Sequence, residues 1–250
     1  MIHPFLKDNK PIAIAHRGGQ GKAAENTLEA FSQAISLGYK YIETDIHSTK
    51  DEKIVLFHDD MLDRITNGRG LVNNYSYREL EKFKVNGKYK IPSLEEVILS
   101  WPDVFLNIDC KADNVLLPLV KILKETPKLL NKICIGSFSG KRLEFIRNSL
   151  GSKVCTSCSP SEVIKIKLSS YGVKQSPVRA NCIQIPEYHY GIPVLDKNLI
   201  KESHILGLKV HVWTINKRKD IEKMLDYGID GIISDEIEIL KSVFEERKIW

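Results

Sequence analysis

Short apolar runs alternate with amphipathic runs over almost the whole chain, and this alternation limits the possible folds more than any other feature. Residues 12–15 (IAIA), 41–46 (YIETDI), 54–57 (IVLF), 104–108 (VFLNI), 132–135 (KICI), 153–155 (KVC), 182–185 (CIQI), 209–213 (KVHVW) and 229–233 (IDGII) read as strands. Most are near-continuous apolar segments, as expected where both faces of a strand are covered. The intervening patterns predict helices over 26–37, 93–100, 114–125, 139–149, 160–168, 196–206, 217–227 and 235–247. The first places Leu28, Phe31 and Ile35 on one face, with Asn26 as the expected N-cap, Glu29 three residues later and Gly38 as a stop. Repeating βα units imply a parallel sheet, and eight of them closed on themselves make a (β/α)8 (TIM) barrel. The 250 residues suit such an α/β barrel as one domain spanning 1–250.

Nine strand candidates exceed eight. Only residues 47–53 separate the second from the third, too few for a parallel crossover, so a hairpin is expected there. A turn centred on Asp51 and Glu52 would set Asp45 opposite His58. Residues 59–92, with ITNGRG, NNYSY and a Lys-rich piece, show little periodicity and read as a small insertion over one face of the barrel.

Composition excludes several classes. Apolar residues at 42% and charged residues at 28% rule out disorder and fibrous repeats. The net charge of +5 is mild, and its Lys and Arg are interleaved with acids, which argues against a nucleic-acid partner. No stretch approaches the roughly 18–20 apolar residues of a membrane span, and MIHPFLKDNK lacks a signal-peptide core. A cytoplasmic protein is expected. The five cysteines (Cys110, Cys134, Cys155, Cys158 and Cys182) are odd in number and scattered, which suits reduced thiols. Cys155 and Cys158 form one CxxC without a second pair, and two buried thiols account for it better than zinc.

Polar residues collect at the C-terminal ends of the apolar strands, where α/β barrels place their active sites. His16 and Arg17 follow IAIA, Glu43 and Asp45 lie in YIETDI, His58 follows IVLF, Asp109 and Lys111 follow VFLNI, and Trp213 ends KVHVW. Glu43 and Asp45 are two apart, so on a strand they face the same way and repel unless a cation joins them. Oxygen ligands suit one divalent cation of the Mg²⁺ or Ca²⁺ kind, with Asp109 as a third candidate ligand. His16 and His58 are the natural acid/base groups. Arg17 and Lys111 add positive charge, and the whole set suits an anionic, phosphate-bearing substrate.

With these residues in view, the chain resembles the glycerophosphodiester phosphodiesterases. The carrying segments are IAHRGG at 14–19, AENTLEAF at 24–31, YIETDIHSTKDEKIVLFHDDMLDRITNG at 41–68, IPSLEEVI at 91–98, LNIDCK at 106–111, VHVWTIN at 210–216 and DGIISD at 230–235. The resemblance implies a (β/α)8 barrel with a small insertion after the HD segment. It implies a metal-dependent enzyme that hydrolyses glycerophosphodiesters to sn-glycerol 3-phosphate and an alcohol. His16 and His58 would be the acid/base pair, and Glu43 and Asp45 metal ligands. Arg17 and Lys111 would hold the phosphate, Trp213 would be a pocket wall, and Glu25 would support the site by hydrogen bonding. The sequence departs from the family at Asp109, where a glutamate is usual, at Ile65, in the QGKA loop after HRGG and in SDEI at 234–237. Two alternatives stand beside this reading: a lysophospholipase D-like phosphodiesterase, and a non-catalytic barrel binding a phosphorylated metabolite. No exposed aromatic cluster is evident that would favour the former. Oligomeric state is not legible.

Overall fold

A computed structural model describes residues 2–250. The strands are β1 (Ile12–Ala15), β2 (Tyr41–Ser48), β3 (Ile54–Leu56), β4 (Phe105–Cys110), β5 (Ile133–Gly136), β6 (Cys155–Thr156), β7 (Cys182–Pro186), β8 (Tyr188–His189), β9 (Ile192–Pro193), β10 (Lys209–Trp213) and β11 (Gly231–Ser234). Eight of them pair in parallel in the order β6–β5–β4–β2–β1–β11–β10–β7. A parallel bridge between Ser157 and Cys182 brings the two ends of this row together, giving the (β/α)8 barrel. Eight helices follow the barrel strands: α1 (Leu28–Ser36), then, after the short α2 (Tyr77–Leu80), α3 (Leu94–Ser100), α4 (Leu116–Glu125), α5 (Gly140–Leu150), α6 (Pro160–Ser169), α7 (Lys197–Ile205), α8 (Arg218–Asp226) and α9 (Ile237–Glu246). Their apolar faces cover the outward residues of the strands in one large core that includes Ile42, Ile108, Ile135, Ile183 and Val212.

The ninth strand is the hairpin partner: β3 lies antiparallel to β2. Its register differs from the expected one by a residue. Ile46 pairs with Leu56 and Phe57 donates its N–H to Asp45 O, so Phe57, not His58, stands opposite Asp45. Thr49 and Lys53 close a three-residue loop in which Glu52 takes φ +62°, a hairpin type that favours a left-handed last position. The N-cap of helix α1 also falls one residue later than expected. Thr27 caps it by accepting from Ala30 N–H, whereas Asn26 sits at φ +56° and turns its side chain elsewhere. Residues between β3 and α3 pack a core of their own, with Leu62, Val72, Leu80, Val85 and Ile91 against Val55 and Phe57. The hairpin β8–β9, beyond β7, had no counterpart in the sequence reading.

The barrel interior is layered. At the N-terminal ends of the strands Phe5 is completely buried and meets the rings of Tyr41 and Phe105 edge-on. Above lies an amide layer in which Gln184 Nε2 donates to Asn107 Oδ1 at 3.0 Å and contacts His211 Nδ1 at 3.2 Å. Glu43 lies at the register of Asn107, and Asp45 and Asp109 follow two residues further towards the C-terminal ends of the strands.

Candidate active site

The register between β2 and β4 sets Glu43 beside Asn107 and Asp45 beside Asp109. Residues two apart on a strand share a face, so three carboxylates converge inside the barrel mouth. His16 and Arg17 enter from the turn after β1. Arg17 adopts φ +53°, and Gly18 and Gly19 follow at +86° and +90°. A Cβ on Gly18 would lie 2.6 Å from the Phe31 ring, so glycine alone lets this turn press onto α1. The turn aims the Arg17 N–H at Glu43 Oε2, 3.1 Å away.

Each histidine is held by its own carboxylate. His16 Nδ1 donates to Asp235 Oδ1 at 2.6 Å, and its Nε2 lies 3.8 Å from Glu43 Oε2. His58 Nδ1 donates to Asp59 Oδ1, also at 2.6 Å. The bond at Nδ1 leaves Nε2 as the free nitrogen of a neutral ring. Burial opposes a charge on His16, but Glu43 and Asp235 outweigh it and raise the imidazole above its ordinary value. Burial also works against Asp235, yet hydrogen bonds from His16 and Asn216 hold it below the usual carboxylate range.

The carboxylates differ sharply. Burial first, and the Asp45 charge second, push Glu43 up to about 8. Asp45 is equally buried, but Lys111 and Arg17 hold it down. Asn26 Nδ2 donates to Asp45 Oδ2 at 3.0 Å, while Lys111 Nζ lies 2.9 Å from Asp45 Oδ1 and 2.7 Å from Asp109 Oδ2. Arg17 is clamped by Glu25 at 3.0 Å, and Arg64 ties Glu25 to Asp59. Among the described residues, two buried side-chain polar atoms lack a hydrogen-bond partner: Asp109 Oδ1 and Arg17 Nε. One is an acceptor without a cation or donor, the other a donor without an aligned acceptor. Buried polar atoms are rarely left so; both residues line one cavity, and Arg17 Nε lies 3.1 Å from Asp45 Oδ2. The donor set of Glu43, Asp45 and Asp109 is all oxygen, and Asp109 Oδ1 is open, so these residues fit a hard divalent cation.

The cavity is about 470 Å³. Eight sequence-predicted residues line it: His16, Arg17, Glu43, Asp45, His58, Asp109, Lys111 and Trp213. Glu25 stands behind it, on Arg17. Lys111, expected on phosphate, is paired with Asp45 and Asp109. One side of the cavity is apolar, with Phe138 edge-on to Trp213 at 5.9 Å and with Pro160, Val163, Ile164 and Val194 beside them. Phe138 and Ile164 of this wall are exposed, as are Tyr188, Tyr190 (to 93%) and Ile192 of the β8–β9 hairpin, whose His189 lines the cavity. Sequence reasoning noted Asp59 only as a strand-end residue and Asn26 only as a cap, and gave neither of them, nor Asp235 or Arg64, a role in the site. Asp235 follows β11 directly, so the strand-end rule that found His16 would have found it.

Fold and site together define a (β/α)8-barrel enzyme. A model of the glycerophosphoryl diester phosphodiesterase family matches residues 16–239. A glycerophosphodiester phosphodiesterase of Caldanaerobacter subterraneus is 31% identical over 250 residues, covering 92% of this chain and 96% of that protein. A human lysophospholipase D is 27% identical, covering 89% of this chain and 82% of its own. An Oleispira antarctica phosphodiesterase, solved in complex with the product sn-glycerol-3-phosphate, superposes with a TM-score of 0.77 at 25% identity, covering 94% of this chain and 97% of the other. The chain therefore belongs to the glycerophosphoryl diester phosphodiesterase family. No helix among the described residues is long and apolar enough to cross a membrane.

Proposed function

We propose that the protein hydrolyses glycerophosphodiesters to sn-glycerol 3-phosphate and an alcohol, with His16 as general base and His58 as general acid. One observation carries this reading: two histidines, each bound through Nδ1 to its own carboxylate, share a cavity with the Glu43–Asp45–Asp109 cluster. Glu43, Asp45 and Asp109 would hold a divalent cation, Mg²⁺ or Ca²⁺, which supplies Lewis-acid stabilisation of charge on a phosphoryl oxygen when bound. The free Nε2 of His16 accepts the proton of the attacking hydroxyl or water. His58 gives a proton to the departing alkoxide, a poor leaving group near neutral pH, and such transfers contribute about 10²–10⁴-fold. Arg17, steadied by Glu25, offers its guanidinium to the phosphoryl oxygens as charge builds. Lys111 keeps Asp45 ionised and pairs with Asp109. Trp213 walls the substrate's organic part. The five cysteines, all free and buried, support the expected cytosolic setting.

A second reading concerns the substrate. The wall of Phe138, Val163, Ile164 and Trp213 and the exposed β8–β9 hairpin around Tyr190 favour an acyl-bearing phosphodiester, the class named by the human relative. One experiment serves both. Turnover of glycerophosphocholine and of lysophosphatidylcholine is measured for the parent enzyme, His16→Ala and His58→Ala, and again after EDTA and after return of Mg²⁺ or Ca²⁺. Each substitution should lower turnover by about 10²-fold or more with the fold intact, and EDTA should abolish it reversibly. Near-parent rates for both variants would refute the acid/base assignment, and full activity without metal would refute the role of the three carboxylates. The ratio of the two substrates decides between the readings.

A further inference from the structure

The CxxC at Cys155 and Cys158 does not act as a unit. Cys158 joins the outer core beneath the helices, while Cys155 points into the barrel. There it meets Cys134 of β5 and Cys182 of β7. Cys134 and Cys155 are register partners on adjacent strands, and Cys182 arrives because the Ser157–Cys182 bridge draws β7 against β6. The three sulfurs lie within 4.8 Å of one another, and Cys134 Sγ and Cys182 Sγ are 3.7 Å apart. A point equidistant from the corners of such a triangle is no more than about 2.8 Å from each, close to a metal–thiolate bond of about 2.3 Å. All three side chains are fully buried, with Ile12, Ile14, Tyr41 and Ile233 in the same cluster and Phe5 sealing that end of the barrel.

We infer that Cys134, Cys155 and Cys182 form a trithiol site for a trivalent, thiophilic centre of the arsenic(III) type. Sulfur ligands alone select soft acceptors, and charge then narrows the class. The other members of the cluster are uncharged, and hydrogen bonds among the sulfurs (foremost at Cys134 and Cys182) together with burial (foremost at Cys155) push all three thiols well above their ordinary range, so they are neutral. Three thiolates around a monovalent cation would carry two net negative charges, and around a divalent cation one. An uncompensated buried charge is costly. A trivalent centre leaves none. Arsenous acid is itself uncharged at neutral pH, and the exchange balances without any oxidant: three S–H and three As–OH bonds break, three As–S bonds form, and three waters leave. Neutral reactants give a neutral product throughout. Three thiols held together by closure of the barrel also need little reorganisation to bind one atom.

The test uses the full chain, incubated with arsenous acid in the native state and, separately, refolded in its presence so that slow entry past Phe5 cannot hide the site. Intact-mass measurement should show a gain of one arsenic less three hydrogens. The gain should vanish in Cys134→Ser, Cys155→Ser and Cys182→Ser and persist in Cys110→Ser and Cys158→Ser. Arsenic X-ray absorption on the parent protein, which needs no variant to fold, should count three sulfur neighbours. No adduct in either preparation, an adduct that survives loss of one of the three thiols, or fewer than three sulfurs around arsenic would overturn the assignment.

Discussion

Replacing Asp235 by asparagine tests how the site stores its proton. Asp235 Oδ1 accepts from His16 Nδ1 at 2.6 Å, and its Oδ2 accepts from Asn216 Nδ2 at 2.9 Å. Asn216 cannot turn over, because its Oδ1 already accepts from Ser234 Oγ and from the Asp235 N–H. An asparagine at 235 must therefore present its oxygen to Asn216 and its NH₂ to His16. That NH₂ donates to Nδ1, so the ring proton moves to Nε2, which blocks the general-base role proposed for His16. Asp235→Ala lacks this clash and leaves the ring free to take either tautomer. The expectation is that kcat for Asp235→Asn falls by about 10²–10⁴, the contribution of a general base, or about 3–5 kcal/mol of barrier. Asp235→Ala should fall no further than Asp235→Asn, although it removes more. The assay is steady-state hydrolysis of glycerophosphocholine across pH, with thermal unfolding to confirm that both variants fold. If Asp235→Asn keeps kcat within about threefold of the parent, or if Asp235→Ala is much the worse of the two, the tautomer argument is wrong.

Two predictions concern stability. His211 is buried in the amide layer, and burial lowers its pKa from 6.5 to about 4. It stays neutral in the folded chain while the unfolded chain takes up a proton, so its contribution is intact above pH 6.5 and is lost as pH falls towards 4, by about 3 kcal/mol in all. Urea unfolding at several pH values should show that slope, and His211→Gln should flatten it; an unchanged slope in the variant would remove the argument. The second concerns the turn after β1. Gly18→Ala at φ +86°, with its Cβ 2.6 Å from the Phe31 ring, should lose about 2–4 kcal/mol. Gly70→Ala at φ +84°, with nothing within 4 Å, should lose only the about 1–2 kcal/mol of backbone strain. Equal losses in calorimetry would show that the close approach to α1 is not what glycine serves.

What the sequence revealed divides along the distance over which information had to travel. IAIA and KVHVW became β1 and β10 to the residue, because a buried parallel strand writes its length directly as an apolar run. The Glu43–Asp45 pair was equally local: a spacing of two fixed the shared face before any fold was known. The hairpin register missed by one because Glu52, not a glycine or asparagine, takes the left-handed position, and composition gave no sign of a three-residue loop. Hairpin β8–β9 was invisible because strands of two residues have no period to read. Asn26 had the chemistry of a cap, but the competing use won. Its Oδ1 accepts from Thr44 Oγ1 while its Nδ2 donates to Asp45, so it props the acidic pair instead of α1.

The least legible features are the pairings that exist only after closure. Asp235 is 219 residues from His16, and the three inner thiols are spread from 134 to 182. None of these groups has a local partner to betray it. The sheet brings them together by pairing β1 with β11 and by bridging β6 to β7. The residues proposed to meet substrate are therefore written in short motifs, whereas the carboxylate that holds His16 Nδ1 is written in the topology. Substitutions that loosen the β1–β11 pairing should for that reason damage proton transfer before they disturb the carboxylate cluster on β2 and β4. Parallel loss of kcat and of metal affinity in such variants would show that the two halves of the site are not separable in this way.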